Sequence, residues 1–251
     1  MTDAGSRGLS GTALKLIAAA SMTADHVGYI LFPEIRILRI IGRLALPVFA
    51  YLIAEGMRHT RSPLKYFLRL FLLGAACQTV YFIATRDLYM NILITFSLSV
   101  VIMTPIRLMR DAEENSGPDA SRRAVYLSAS AAAVAGAFLL CRFVTVDYGF
   151  WGVILPVSAF VFTEKKKNLL LFSVFLALMS ADFYVSGLMR GGAPLSVLIN
   201  SESQPFSLLA LPLLALYNGK RGKWRLKYFF YVFYPAHLGL IYLIGVVTKR
   251  V

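Results

Sequence analysis

The sequence predicts an all-α fold, a polytopic transmembrane helix bundle of about nine spans, two of them short or broken. Three observations lead there. The 251 residues are 58% hydrophobic and only 16% charged, whereas soluble domains average roughly 45–50% apolar and about 25% charged. With a mean hydropathy of +0.66 there is too little polar surface to wet a soluble globule. Nine apolar segments can be drawn, and most reach the ~20 residues that a bilayer core requires. Lys and Arg, 26 against 13 Asp and Glu, gather in the short stretches between those segments, which is the pattern of cytoplasmic loops.

Segment 13–32 could pass for a signal peptide, since Arg7 and Lys15 lie before its apolar run and Ser21-Met22-Thr23-Ala24 resembles a cleavage site. It continues past Asp25-His26 to Phe32, long enough to span, and is read as a retained helix. Segment 37–57 carries Arg43 and, near its inner end, Glu55; 64–84 carries Gln78. Asn91 opens 91–109, and 124–143 is plainly apolar. Segment 149–163, preceded by Asp147, has only about 15 residues, short of a span. Segment 168–188 holds Asp182. Segment 206–217, of about 12 residues, is entered through Gln204-Pro205; short, Pro-interrupted segments are where unwound backbone lines a cavity. In 227–247, Pro235 cannot donate, so it frees the Tyr231 carbonyl and kinks the helix. The 18 Gly and 10 Pro suit such a bundle. The hydrophilic stretch 111–121 reads as a mobile loop. No repeat or linker divides the chain, so 1–251 is read as one transmembrane domain.

A net charge of +13 would point to nucleic acid in a soluble protein; here it is topological, and no nucleic-acid partner is expected. With the N-terminus inside, 18 of the 26 cations fall on the cytoplasmic side: Arg7, Lys15, and those within 58–69, 107–123, 165–167 and 220–227. Arg36, Arg39, Arg43, Arg86, Arg142, Arg190, Lys249 and Arg250 make up the rest. The expected arrangement is therefore N-in, C-out, in the inner membrane. Cys77 and Cys141 are the only cysteines and sit in apolar runs, which excludes a disulfide scaffold or zinc ribbon. His26, His59 and His237 have no carboxylate at ligand spacing, so no metal is expected.

Ionisable groups cost several kcal/mol at the bilayer midplane unless paired. Asp25, His26, Arg43, Asp182 and His237 all fall within spans. Helix neighbours point about 100° apart, so Asp25 does not readily orient His26; Arg43 is its best partner, as a bidentate pair. That pair has a purely structural reading as well. His26, Met22, Ala19 and Lys15 share a stripe, with roughly 16 Å from Lys15 to His26 at ~1.5 Å rise per residue. A cation near the cytoplasm and an imidazole at depth suit a long substrate with an anionic head; equally, Lys15 marks the membrane boundary. Tyr234 and His237 share a face beside the Pro235 kink, where the histidine either takes part in chemistry or satisfies freed backbone. The turn Tyr217-Asn218-Gly219-Lys220-Arg221-Gly222-Lys223 suits a bound anion. It suits acidic lipid headgroups as well.

These residues carry a resemblance. The Asp25-His26 block, Leu38 to Ala50 (Leu-Arg-Ile-Ile-Gly-Arg-Leu-Ala-Leu-Pro-Val-Phe-Ala), Glu55-Gly56, Tyr66 to Leu70, Asn91, Asp147-Tyr148-Gly149, the 217–222 turn and Tyr234-Pro235-Ala236-His237 are similar to the TraX family of integral-membrane pilin N-acetyltransferases. The match spreads over nearly the whole chain; 99–140 and 165–203 follow only in hydropathy. More widely the chain resembles the acyltransferase-3-like superfamily. The resemblance implies an enzyme that moves an acetyl or short acyl group from cytoplasmic acetyl-CoA, as co-substrate, to an amine or hydroxyl. The acceptor would be a pilin or peptide N-terminus, a glycan or a lipid.

On that reading His26 is the general base, a task that suits an imidazole because its ordinary pKa lies near working pH. Asp25 and Arg43 hold the site's shape, and Asn91, Gln78, Arg43 or His237 stabilises the oxyanion. Lys15, Arg58, Arg69, Tyr217, Asn218, Lys220 and Arg221 grip CoA. Two other classes fit the residues: a proton-coupled transporter or flippase, because midplane Asp, His and Arg also build proton relays, and a non-catalytic appendage-assembly factor. Both monomer and oligomer are compatible with the sequence.

Overall fold

The computed structural model describes residues 8–191, 203–222, 226–248 and 250. Arg7, Lys223, Arg225 and Lys249, counted above in the charge asymmetry, lie outside the described residues, as do the side chains of Arg190 and Lys227. The architecture is all-helical. In order come α1 (Gly11–Ile30), α2 (Arg36–Gly42), α3 (Ala45–His59), α4 (Pro63–Thr85), α5 (Ile92–Ser116), α6 (Ala120–Phe143), α7 (Gly149–Ser158) and α8 (Lys165–Gly191). A 3₁₀ segment (Gln204–Leu209), α9 (Ala210–Ala215) and α10 (Lys227–Val247) follow. No strand occurs among the described residues.

Six helical stretches are long and apolar enough to cross a bilayer: Arg36–His59, Pro63–Ile83, Ile92–Ser116, Ala120–Phe143, Lys165–Ser186 and Phe229–Val247. The 20 residues of α1 have the length but are interrupted by Lys15 and Asp25. Gly149–Ser158 and Gln204–Ala215 are the shorter apolar pieces, at the two segments expected to be short. The protein is a multi-pass membrane protein.

Two expectations change. Segment 37–57 is not continuous: α2 stops at Gly42, and Arg43 and Leu44 form a turn before α3. Pro47 explains the break, because without an N–H it cannot close a bond to the Arg43 carbonyl one turn back. The stretch 111–121 is not a loop. Helix α5 runs on to Ser116, supported by an Arg107–Asp111 ion pair of 3.0 Å. Only Gly117 to Asp119 breaks it, and the Asp119 carboxylate then accepts the N–H groups of Ser121 and Arg122 to cap α6, as N-cap residues do.

The chain forms two compact units, Met1–Phe49 with Ser173–Val251, and Ala50–Phe172. In the second, α5 packs on α4, α6 and α7. With no hydrophobic drive between helices in lipid, close approach and hydroxyl bonds hold them. Ser99 Oγ donates to the Val153 carbonyl (2.7 Å) and Ser130 Oγ to that of Ile102 (2.9 Å). In the first unit, α2 lies along α1, the 3₁₀ segment touches α2, and α10 packs on α1. Glycines set the α1–α2 distance. A Cβ on Gly28 would stand 2.7 Å from that of Leu38, and one on Gly42 would collide with Asp25.

Gly42→Ala is therefore expected to cost about 1–3 kcal/mol by overpacking. Gly136→Ala in α6, where a Cβ meets nothing within 4 Å, should be neutral or gain up to about 1 kcal/mol. Unfolding of the purified variants in detergent checks the contrast.

Candidate functional site

Helix α1 begins where its N–H groups find partners. Ser10 caps it through Ala13 N–H. The next orphan donors, Gly11 and Thr12, bond the carbonyls of Lys220 and Arg221 (2.8 and 2.9 Å). Leu9 bonds the Leu216 carbonyl, and Asn218 N–H returns to the Leu9 carbonyl. The turn after α9 is thus clamped to the start of α1. Its glycines serve that clamp: Gly219 and Gly222 have φ +75° and +94°, and a Cβ on Gly222 would press on Ser10 and Thr12 hydroxyls. Tyr217 is buried, while Lys220 and Arg221 stay exposed. Lys15, one turn into α1, is exposed too, its ammonium 5.8 Å from the Phe230 ring of α10. Five of the seven residues assigned to CoA, Lys15, Tyr217, Asn218, Lys220 and Arg221, therefore meet at one end of this unit.

The α1–α10 seam leads from there to the two histidines. Lys15 meets Phe230 and, further along both helices, His26 meets His237, so α1 and α10 run in the same direction. His26 Nδ1 and His237 Nε2 are 3.1 Å apart. His237 Nδ1 lies 2.8 Å from the Phe233 carbonyl, and its ring stacks on Phe233 at 4.7 Å. These contacts assign the protons. A carbonyl only accepts, so His237 Nδ1 carries the hydrogen, and in a neutral imidazole Nε2 is then a lone pair. That lone pair requires His26 Nδ1 to donate. His26 Nε2 is left as the basic nitrogen of the pair. The carbonyl freed by Pro235, that of Tyr231, is not the one His237 takes.

Asp25 sits on the α2 side of α1. Its Oδ2 pairs with Arg39 at 2.8 Å, and its Oδ1 lies 3.5 Å from Arg43. Arg43 Nε donates to Ser203 Oγ at 2.9 Å. The Asp25–Arg43 pairing expected from sequence is present, but Arg39 is the closer partner. The signal was there: Arg39 and Arg43 are four apart, hence on one face.

The remaining candidates belong to the Ala50–Phe172 unit. Arg58 bonds Glu55 and the Ala159 carbonyl. Arg110 bonds the carbonyls of Phe160 (3.0 Å) and Val161 (2.6 Å), and both guanidinium groups flank the Phe160 ring. Arg107 donates to the Arg58 carbonyl at 2.7 Å. Arg58 and Arg110 thus bind carbonyls just past the C-terminal end of α7, and Arg107 binds one at the C-terminal end of α3, where cations suit the dipole. Arg69 is exposed on α4. Asn91 caps α5: Oδ1 accepts from Leu93 N–H, and Nδ2 donates to the Gly74 carbonyl and to Gln78 Oε1. Both amide ends of Asn91 are thus occupied.

The family model of the TraX protein matches residues 10–245. The chain belongs to the TraX family. Over 250 aligned residues it is 30% identical to the "Probable fimbrial assembly protein FimC, serogroup H1" of Dichelobacter nodosus, covering 91% of this chain and 92% of that one. It is 55% identical over 38 residues, 15% of each chain, to "Uncharacterized protein RP591" of Rickettsia prowazekii (strain Madrid E). No solved structure matches. Family membership rests on the whole length, from the α1 cap through the last turns of α10.

Removing Asp25 alone leaves two guanidinium groups opposed. Asp25→Ala should cost about 2–3 kcal/mol, below the range for fully buried pairs because Arg39 keeps some exposure. Replacing all three, Asp25→Leu with Arg39→Met and Arg43→Met, should recover most of it. Thermal unfolding in detergent measures both; an unchanged midpoint for Asp25→Ala would show that the pair adds nothing.

Proposed function

We propose that this TraX-family protein is an inner-membrane acetyltransferase that uses acetyl-CoA, with its N-terminus in the cytoplasm and its C-terminus outside. The observation that carries the reading is the His26–His237 hydrogen bond, which leaves one basic nitrogen, His26 Nε2, beside the apolar stretch Phe229–Val247. The exposed cations Lys15, Lys220 and Arg221 at the near end of the same seam suit the phosphates of CoA. The pantetheine arm then follows the α1–α10 seam toward His26. Arg58 and Asn91, each committed to other bonds, contribute to the fold of their own unit on this reading.

The step balances as follows. The acceptor amine nitrogen attacks the thioester carbonyl, the C–S bond breaks, and the amine proton passes to His26 Nε2 and on to the departing thiolate. The products are an amide and CoA thiol. A hydroxyl acceptor gives an ester by the same route. His237 acts through His26: it holds the tautomer and accepts from Nδ1, which keeps the imidazolium oriented. The acceptor is a pilin or peptide N-terminus, or an envelope glycan or lipid.

A second reading has its own observation. The relative from Dichelobacter nodosus is named for fimbrial assembly, and a non-catalytic assembly factor fits that name as well as an enzyme does. Acetyl-CoA turnover by purified protein separates the two. His26→Ala should lower it about 10²–10⁴-fold, the typical worth of a general base, with an unchanged melting temperature. Turnover absent in the parent protein would favour the assembly role, and turnover as fast in His26→Ala would remove His26 as the base.

A further inference from the structure

The 3₁₀ segment Gln204–Leu209 holds two polar groups with no use assigned so far. Gln204 is 3% exposed and Ser207 fully buried. Gln204 Nε2 and Ser207 Oγ have no hydrogen-bond partner among the described residues. Protein interiors satisfy roughly nine in ten such groups. In a 3₁₀ helix, residues three apart eclipse one another, so these two stand on one face. The segment packs on α2, and Ser203, just before it, receives the Arg43 guanidinium that lies beside Asp25. The 3₁₀ segment is thus tied, through the residue before it, to the Asp25–Arg39–Arg43 cluster on the α2 side of α1.

We infer that Gln204 and Ser207 form a subsite for a secondary amide of a bound ligand. The chemistry follows from the pair. A side-chain amide nitrogen donates and needs an acceptor; a hydroxyl both donates and accepts. A secondary amide supplies a carbonyl for Gln204 and an N–H for Ser207 in one planar group. It is also neutral, as befits groups buried among helices, where a further charge would be costly. Two ligands of the proposed reaction carry such amides: the pantetheine arm of CoA and the backbone of a peptide acceptor. Only the source of the amide rests on the acetyltransferase reading. The subsite itself rests on the two buried groups.

The test uses the full chain in detergent, as the parent protein and as Gln204→Met and Ser207→Ala. Three probes are titrated: pantetheine, N-acetyl-alanyl-alanine amide, and 3′,5′-ADP, which has two of the three phosphates of CoA and none of its amides. One amide probe should bind, and each variant should weaken it about tenfold, the effect of one lost hydrogen bond. Affinity for 3′,5′-ADP should stay unchanged, and the ligand-free melting temperature should hold or rise, because a buried group without a partner has been removed. Loss at pantetheine assigns the CoA arm, and loss at the dipeptide assigns the acceptor. The inference is overturned if neither amide probe binds, if binding is the same in all three proteins, or if both variants melt lower without ligand. Turnover of acetyl-CoA together with insensitive probes sinks the subsite alone. A Gln204-dependent dipeptide site without turnover sinks the enzyme and leaves the subsite standing.

Discussion

The ion pairing of Asp25 with Arg39 and Arg43 is the constraint on which the first unit depends. A carboxylate within a membrane helix must be neutralised or paired. Arg39 of α2 and Arg43 of the turn that follows it do this, and only because α2 lies close enough. Gly28 and Gly42 supply that closeness, since a side chain at either would push the helices apart. The break after Gly42 then lets the Arg43 side chain turn to Ser203, which ties the 3₁₀ segment to the same cluster. Because neighbouring residues on a helix point about 100° apart, fixing Asp25 toward α2 turns His26 away from it, toward α10 and His237. Charge pairing on one side of α1 thereby orients the imidazole on another.

The second unit solves a different problem. Its short helix α7 ends among apolar residues, and the carbonyls that follow it would go unpaired in a membrane. Arg58 and Arg110 bond those of Ala159, Phe160 and Val161, while Asn168 closes a two-way bond with the backbone of Phe162. At its other end, Tyr89 donates to Asp147 at 2.8 Å, and the backbones of Met90 and Val146 bridge. Burial and the neighbouring Asp147 carboxylate push the Tyr89 phenol above its ordinary range, so the tyrosine stays a donor. Arginine and aspartate count here as structural pieces of a helix bundle with short members.

The helical class was legible because apolar runs near bilayer length are a strong signal. So was the pairing of Asp25 with an arginine of the next segment, since a buried carboxylate demands one. The clamp of the 217–222 turn onto α1 was not. The sequence pattern marks its glycines and cations, but the groups that bind α1 are backbone carbonyls, which every residue has. The pairing of His26 with His237 joins positions 211 apart, and nothing in one sequence links such distant residues. Arg58 read as a phosphate grip because a cation in a basic stretch looks the same whether it holds a ligand or a helix end. Gln204 is visible in the sequence only as the entry to a short segment, and Ser207 not at all, because polar residues beside a proline pass for an ordinary turn until their burial is known.

The account turns on which nitrogen of His26 is basic. Selective ¹⁵N-histidine labelling of the full chain, with His59→Gln to simplify the spectrum, reads this directly. The structure requires both imidazoles to be protonated at Nδ1 and a scalar coupling across the hydrogen bond from His26 Nδ1 to His237 Nε2. His26 protonated at Nε2, with no coupling between the two rings, would contradict it.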